Sequence, residues 1–107
     1  MKVKAKDKEC WQIWHYGTLE SPSILQEAEN SVTIVPRTVC EDTGLMCKGR
    51  QVYENDWLEV YGDGEKHKFL VAWRGNEYRA CEDEAISYNL KNVLKNESCK
   101  VIGNLYD

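Results

Sequence analysis

The stretch GRQVYENDWLEVYGDGEKHKFLVAWRGNEYRAC, residues 49–81, decides the fold class of this chain. Three segments rich in β-branched and aromatic residues, WLEVY, KHKFLVAW and EYRAC, are separated by GDG and RGN. Glycine supplies the positive φ angles that tight hairpin turns need. The stretch therefore predicts two consecutive hairpins, a β-meander typical of small barrels, and a mainly β chain.

A polar corner precedes the first of these strands. Asn55 and Asp56 stand between Tyr53 and the apolar Trp57-Leu58 pair. Asparagine is one of the few non-glycine residues that tolerate the left-handed region, so we expect a positive φ at Asn55. An aspartate in such a turn accepts backbone N–H groups. We therefore assign this corner a geometric role, which is to reverse the chain and set the register of the next strand.

The N-terminal section, residues 1–36, is predicted to be strands and hairpins. In KVKAKDK, residues 2–8, the period of two places four lysines on one strand face, which we interpret as the solvated face of an edge strand. The alternative is a phosphate-binding strip made of Lys2, Lys4, Lys6 and Lys8. CWQIWHYGTLE then predicts a strand with aromatics on both faces that Gly17 breaks or bulges. ILQEAENS is either weakly helical or a hairpin arm leading to an Asn-Ser turn, and VTIVP is a strand that Pro36 ends.

One short helix is predicted near the C-terminus. Ile86, Leu90, Val93 and Leu94 form an amphipathic stripe at helical spacing. The acidic residues 82–84 suit a helix N-terminus. Val101-Ile102 then forms a final strand, and Gly103 and Asn104 bend it.

Length and charge indicate the number of domains and the class of partner. A chain of 107 residues suits one domain, 1–107. Residues 1–53 carry 7 basic and 7 acidic residues, whereas residues 54–107 carry 7 and 11, so the net charge of −4 lies in the second half. A general polyanion binder usually shows the opposite sign, which disfavours nucleic acid as the main partner.

Neither metal nor cofactor is predicted. The five cysteines show no C-x-x-C spacing, and we interpret them as reduced, small core residues. We expect no zinc, because no four ligands have a finger-like spacing. No phosphate-binding loop, zinc-protease motif, nucleophile elbow or dinucleotide fingerprint is present. No signal peptide is visible, and no apolar stretch approaches the ~20 residues that span a bilayer.

Four segments in order, WHYGTLE, VPRTVCEDTGL, GRQVYENDWLEV and VIGNLYD, resemble the YopX-like proteins of phages and prophages. The segments match that family's W-x-Y-G, T-V-x-x-x-T-G-L, G-x-x-I-Y-E-G-D-I-V and V-I-G-N-I-Y-E patterns, with Asn55 where the family usually has glycine. The resemblance implies an SH3-like barrel in residues 37–107, action in the bacterial cytoplasm, self-assembly into homo-oligomers and no established catalytic residue. We expect no cofactor.

Three functions remain open at this point. We favour a non-catalytic interaction module that associates with itself and binds a host or phage protein. Its candidate contact residues are aromatics, several of which we expect to be core instead: Trp11, Trp14, Tyr16, Trp57, Tyr61 and Trp73. The alternative is a nucleic-acid-binding small barrel that uses the lysine strip with stacking aromatics. The third and least favoured is an enzyme with a carboxylate pair drawn from Glu54, Asp56 and Glu59.

Overall fold

The computed structural model describes every residue from Met1 to Asp107, as eleven strands and one short α-helix. The predictions of a mainly β chain and of one short helix near the C-terminus are confirmed. The chain forms two compact units, Met1–Asp42 with Tyr106–Asp107, and Thr43–Leu105. The sequence placed the section boundary at residue 36, before a 3₁₀ turn at Pro36–Thr38, whereas the two units divide within a strand, Cys40–Cys47.

The first unit is an antiparallel sheet in the order β4-β3-β2-β1. Its strands are β1 (Lys2–Lys6), β2 (Trp14–Ser21), β3 (Ile24–Glu27) and β4 (Asn30–Thr33). The other side of β1 pairs with the start of β5 (Cys40–Cys47), where Val3 lies opposite Glu41 and Lys4 opposite Cys40. The prediction that the lysine strand is an edge strand is therefore wrong, because β1 has a neighbour on each side.

Alternation along β1 separates its apolar and basic side chains. Val3 and Ala5 are buried in a core with Leu25 and Ile34. Lys4 and Lys6 point to the other face, because successive side chains of a strand alternate. Their partners in the β2 register are Tyr16 and Trp14, so the predicted lysine strip and part of the predicted aromatic set share one sheet face.

Two local predictions in this unit need correction. Residues 24–33 form a hairpin and no helix, and its turn is at Ala28-Glu29 instead of Asn-Ser, with Ala28 at a φ of 53°. Gly17 does not break β2, since it lies inside the strand opposite Val3. A Cβ at Gly17 would sit 1.9 Å from the carbonyl oxygen of Gln26, so the glycine permits close approach of β3.

The second unit contains an antiparallel five-stranded sheet in the order β10-β9-β8-β7-β11. These strands are β7 (Asp56–Gly62), β8 (Glu65–Arg74), β9 (Glu77–Cys81), β10 (Ser87–Asn89) and β11 (Lys100–Asn104), while the end of β5 runs beside β6 (Arg50–Tyr53). The two predicted hairpins are confirmed. Asp63 and Gly64 have φ angles of 54° and 78°, the pair that a type I′ turn requires.

The core of this unit lies on one face of the sheet. Leu58, Val60, Phe69 and Val71 alternate into it from β7 and β8. Leu90 of helix α1 (Leu90–Leu94) is also buried there. Cys47 and Cys99 are buried in the same core, as predicted for small core residues. Cys40 and Cys81 are also buried, whereas Cys10 is only partly buried and does not fit that prediction.

The helix is shorter than predicted. It begins at Leu90, and the Asn89 side chain caps it by accepting the backbone N–H of Asn92 at 3.1 Å. Ser87–Asn89, predicted to be helical, form β10 instead because their backbone pairs with β9. The acidic segment 82–84 lies outside the helix. Asp83 there accepts the N–H groups of Ala85 and Ile86, as turn aspartates do.

The corner at Asn55-Asp56 has the predicted geometry. Asn55 has a φ of 68°, in the left-handed region. Asp56 is 1% exposed, and its carboxylate accepts the Tyr53 N–H at 2.8 Å and the Asn104 side-chain N–H at 2.9 Å. The backbone of Asn55 makes two further hydrogen bonds. Its N–H donates to the Val71 carbonyl, and its carbonyl accepts the Leu105 N–H. The corner thus ties the start of β7 to β8 and to the end of β11.

We expect Asp56→Ala to lower the free energy of unfolding by about 2–4 kcal/mol, because buried groups that lose a partner cost about 1–3 kcal/mol each. Urea unfolding of Asp56→Ala, Asn104→Ala and the double variant would measure this. The two substitutions share one hydrogen bond, so a coupling of about 0.5–3 kcal/mol is expected. Additive losses would show that the Asp56–Asn104 bond contributes nothing to stability.

Candidate functional site

The structure sorts the six predicted contact aromatics into three places, and none of them is a buried core residue. This corrects the expectation that several would be core. Trp11, Trp14 and Tyr16 lie in the first unit, Trp57 and Tyr61 share one face of β7, and Trp73 lies near the end of β8. Exposed tryptophan and tyrosine side chains are enriched where proteins bind partners.

In the first unit, the basic strip is largely buried against an indole ring. Lys4 and Lys6 are 4% and 3% exposed, and each ammonium lies 4.5 Å from the centroid of the Trp14 ring. Asp107 accepts the Trp14 indole N–H at 2.9 Å and lies 3.9 Å from the Lys6 ammonium. Contacts with an aromatic face and a carboxylate replace part of the water that these lysines lose.

The ends of the strip do not extend this cluster. Lys2 is exposed at the start of β1, and Lys8 is exposed beyond the end of β1. The four lysines therefore do not form the continuous solvent-facing row that phosphate binding along β1 would need. The exposed part of this region is Trp11 with Arg37, whose guanidinium carbon lies 5.0 Å from the Trp11 ring centroid, together with the half-exposed Tyr16.

The second unit brings two of the predicted aromatics, Trp57 and Tyr61, together with lysines on one sheet face. Trp57, Glu59 and Tyr61 alternate on β7 and point away from the core that Leu58 and Val60 enter. Register places Lys68 opposite Glu59, Lys66 opposite Tyr61, and Lys100 of β11 on the other side of Glu59. Together these six side chains form the lysine–aromatic face: Trp57, Glu59, Tyr61, Lys66, Lys68 and Lys100.

Each lysine of this face has a defined contact. The Lys68 ammonium lies 5.0 Å from the Trp57 ring centroid, and the Lys66 ammonium lies 5.6 Å from the Tyr61 ring centroid. Glu59, with a side chain only 11% exposed, lies 3.7 Å from Lys66 and 3.4 Å from Lys100. Tyr61 and Glu59 raise the pKa of Lys66 above its usual range, which keeps the lysine charged.

The face concentrates positive charge within an acidic half of the chain. It holds three lysines and one glutamate, whereas residues 54–107 together carry 7 basic and 11 acidic residues. Lys66 and Lys100 are more than half exposed, and Tyr61 is 51% exposed. Sequence reasoning missed these lysines because it summed charge along the chain. The alternation EKHK opposite LEVYG was the signal that would have placed them beside Trp57 and Tyr61.

Trp73 lies in a different setting. Its ring packs edge-to-face on Tyr78 with the centroids 4.8 Å apart. The two rings line an open groove of about 460 Å³ together with Leu45, Leu90 and polar side chains that include Asn76. Trp73 is therefore a second exposed aromatic site of this unit, separate from the lysine–aromatic face.

His15, the histidine of β2, is held between two carboxylates. Its Nε2 lies 2.8 Å from Asp7 and its Nδ1 lies 2.9 Å from Glu27. Burial lowers the pKa of His15, but the hydrogen bonds to Asp7 and Glu27 outweigh it and raise the pKa overall. The His15 hydrogen bond lowers the pKa of Asp7, and the Tyr16 N–H followed by His15 lowers that of Glu27. The trio is an ion cluster that joins β2 to β3 and to the end of β1.

Several groups considered as catalytic candidates are separated from each other or take part in buried hydrogen bonds. Of the three predicted carboxylates, Glu54, Asp56 and Glu59, the last two are three residues apart on β7, so these two point to opposite faces of the sheet. Burial, followed by the neighbouring Cys47, raises the pKa of Cys99 to about 12, which disfavours a thiolate nucleophile. The structure contains no group of three or more histidine, cysteine, aspartate or glutamate side chains that could hold a metal ion.

No protein-family model matches the chain, and no curated protein sequence matches it. The YopX-like resemblance therefore stays a prediction. The helix of the structure is too short and too polar to cross a bilayer.

We expect the His15 cluster to stabilise the first unit most between about pH 4.5 and 6.5, the ordinary values for glutamate and histidine. A raised histidine pKa adds stability that is complete below pH 6.5 and is lost as the pH rises through the higher folded value. Lowered carboxyl pKa values add stability that is lost as the pH falls through them.

Urea unfolding between pH 5 and 8.5 would measure this dependence. The wild-type chain should lose stability from pH 6 upward, and His15→Gln should flatten that slope. His67→Gln serves as the control, because it removes the other imidazole and leaves the cluster intact. An equal slope in His15→Gln and the wild type would show that the cluster does not carry the dependence.

Proposed function

We propose that this chain is a non-catalytic interaction module that binds an anionic partner on the lysine–aromatic face. The observation that carries the proposal is the arrangement of Lys66, Lys68 and Lys100 around Trp57 and Tyr61 on one exposed sheet face. Accessible lysines attract negative charge, and exposed aromatic rings supply contact area at little entropic cost. Binding requires no acid–base pair, so it suits a chain whose Asp56 and Glu59 point apart.

The resemblance to YopX-like phage proteins belongs to the same proposal. It would make residues 37–107 an SH3-like barrel and place the chain in the bacterial cytoplasm. The curved meander of β7, β8 and β9 supports the barrel at the level of strand order. The partner would then be a component of the phage or of its host.

Heparin-agarose at low salt tests the binding surface, because a chain with a net charge of −4 is retained only through a local basic surface. The wild-type chain should be retained and elute as salt rises. Lys66→Gln/Lys68→Gln/Lys100→Gln should pass through. The matched control is Lys8→Gln/Lys91→Gln/Lys95→Gln, which changes the net charge equally at exposed positions elsewhere and should be retained.

Passage of the wild-type chain through the column would overturn the proposed anionic partner. Equal loss of retention in both triple variants would assign the effect to overall charge and would also count against the lysine–aromatic face.

Self-association is the second part of the proposal, and Trp11 and Tyr16 of the first unit support it. They are 40% and 50% exposed, although large aromatic side chains usually gain by burial. A homo-oligomer that covers them would explain why they remain outside the core of a single chain.

Native mass spectrometry at rising concentration would test this. We expect a closed multimer from the wild-type chain and a shift toward monomer of at least several-fold in Trp11→Ser/Tyr16→Ser. Trp73→Ser is the control, since it removes an aromatic of similar exposure in the second unit. A strict monomer at all concentrations would contradict self-association and would leave the anion-binding proposal standing.

A further inference from the structure

The Trp57 and Tyr61 rings of the lysine–aromatic face lie far enough apart along β7 for separate flat groups of one extended ligand to stack on each. Trp57 and Tyr61 lie on the same face of β7 with Glu59 between them. At about 3.4 Å per residue, their Cα atoms are roughly 13–14 Å apart along the strand. The flat faces of unpaired bases stack on tryptophan and tyrosine, so two rings in line along a strand suit an extended single strand.

The lysines stand beside these platforms on both sides of the strand. Lys66 and Lys68 come from β8, and Lys100 comes from β11, so cations flank β7 where Tyr61 and Glu59 lie. A lysine ammonium is a mobile point charge that suits phosphate, whereas paired carboxylates are bound best by the fork of arginine. All three cations of the face are lysines.

Glu59 is the one carboxylate of the face, and it orders the cations around it. It is 8% exposed as a residue, and its two oxygens lie 3.4 Å and 3.7 Å from Lys100 and Lys66. Its charge is therefore compensated by two lysines, and the third lysine, Lys68, stacks on Trp57. The face keeps a local charge of +2 with its carboxylate withdrawn from solvent.

From these observations we infer that the lysine–aromatic face binds single-stranded nucleic acid, with unpaired bases stacked on Trp57 and Tyr61 and phosphates at Lys66, Lys68 and Lys100. The inference rests on the proposed function, because it names the anionic partner of the same face. Acidic side chains would contact the lysines alone, whereas unpaired bases would contact the rings as well. A duplex would present phosphates and hide its base faces within the helix.

The hydroxyl of Ser98 fixes the backbone of Tyr61 by hydrogen bonding. Its Oγ accepts the Tyr61 N–H at 2.9 Å, and its single hydrogen lies within reach of two acceptors, the Asn96 side-chain oxygen at 2.7 Å and the Tyr61 carbonyl at 3.2 Å. The backbone of Tyr61 is therefore fixed although its side chain is half exposed. A ring on a fixed backbone loses less conformational freedom when a base stacks on it.

Fluorescence anisotropy with a labelled 12-nucleotide oligothymidylate tests the inference in the full chain. Tyr61→Ser, which keeps the fold because the ring is exposed, should weaken binding about 5- to 150-fold, the range that removal of one stacked base gives. The lysine triple variant should abolish binding. Trp73→Ser and the Lys8/Lys91/Lys95 triple variant are the matched controls and should bind as the wild-type chain does.

Salt dependence gives a second readout that a folding defect would not reproduce. For single strands, log K falls with log salt with a slope of about −0.7 per phosphate neutralised, so three lysines predict a slope of roughly −2. Lys100→Gln alone should reduce that slope by roughly 0.7. An unchanged slope in Lys100→Gln would remove this lysine from the site and overturn the arrangement inferred.

The outcomes separate this inference from the proposed function. If a 12-residue glutamate peptide or a 12-base-pair duplex binds as tightly as the oligothymidylate, or if Tyr61→Ser binds normally, the inference fails while retention on heparin still supports an anion-binding module. If neither heparin nor any of the three ligands is bound, both fail. Preferred, Tyr61-dependent binding of the single strand supports both.

Discussion

The second unit depends on the hydrogen bonds that the buried carboxylate of Asp56 accepts. It accepts hydrogen bonds from the backbone N–H of Tyr53, three residues earlier in the chain, and from the side-chain N–H of Asn104, 48 residues later. A charged group with 1% exposure is stable only when its lone pairs are engaged. The corner that Asp56 holds starts β7, and β7 supplies both Leu58 to the core and Trp57 and Tyr61 to the surface.

Alternation along the strands then gives chemically similar residues different roles. Lysines recur at every second position both on β1 and at the start of β8. On β1, Lys4 and Lys6 are buried against the Trp14 ring. On β8, Lys66 and Lys68 remain exposed beside Tyr61 and Trp57. The same sequence pattern therefore produces a structural cluster in one unit and an accessible cationic surface in the other.

The lysine–aromatic face also shows how charge is organised in a small β unit. Most acidic residues of the second half lie outside this face, for example in the exposed segment 82–84 and in the turn at Asp63. Glu59 is the exception, and its position between Lys66 and Lys100 makes it part of the cationic array. A chain with an overall negative charge therefore retains a surface for anions, because strand register sets local charge independently of the chain total.

The sequence by itself determined the class of fold, the two hairpins of residues 57–81 and the positive φ at Asn55. Each of these depends on local rules: glycine and asparagine at turns, and alternation between an apolar and a polar face. The helix was predicted too long because Ser87–Asn89 pair with β9, and pairing between distant segments overrides a local helical pattern. Only the tertiary structure decided which lysines are buried and which aromatics meet which cations. Those contacts depend on register between strands, which the residues of one strand cannot specify alone.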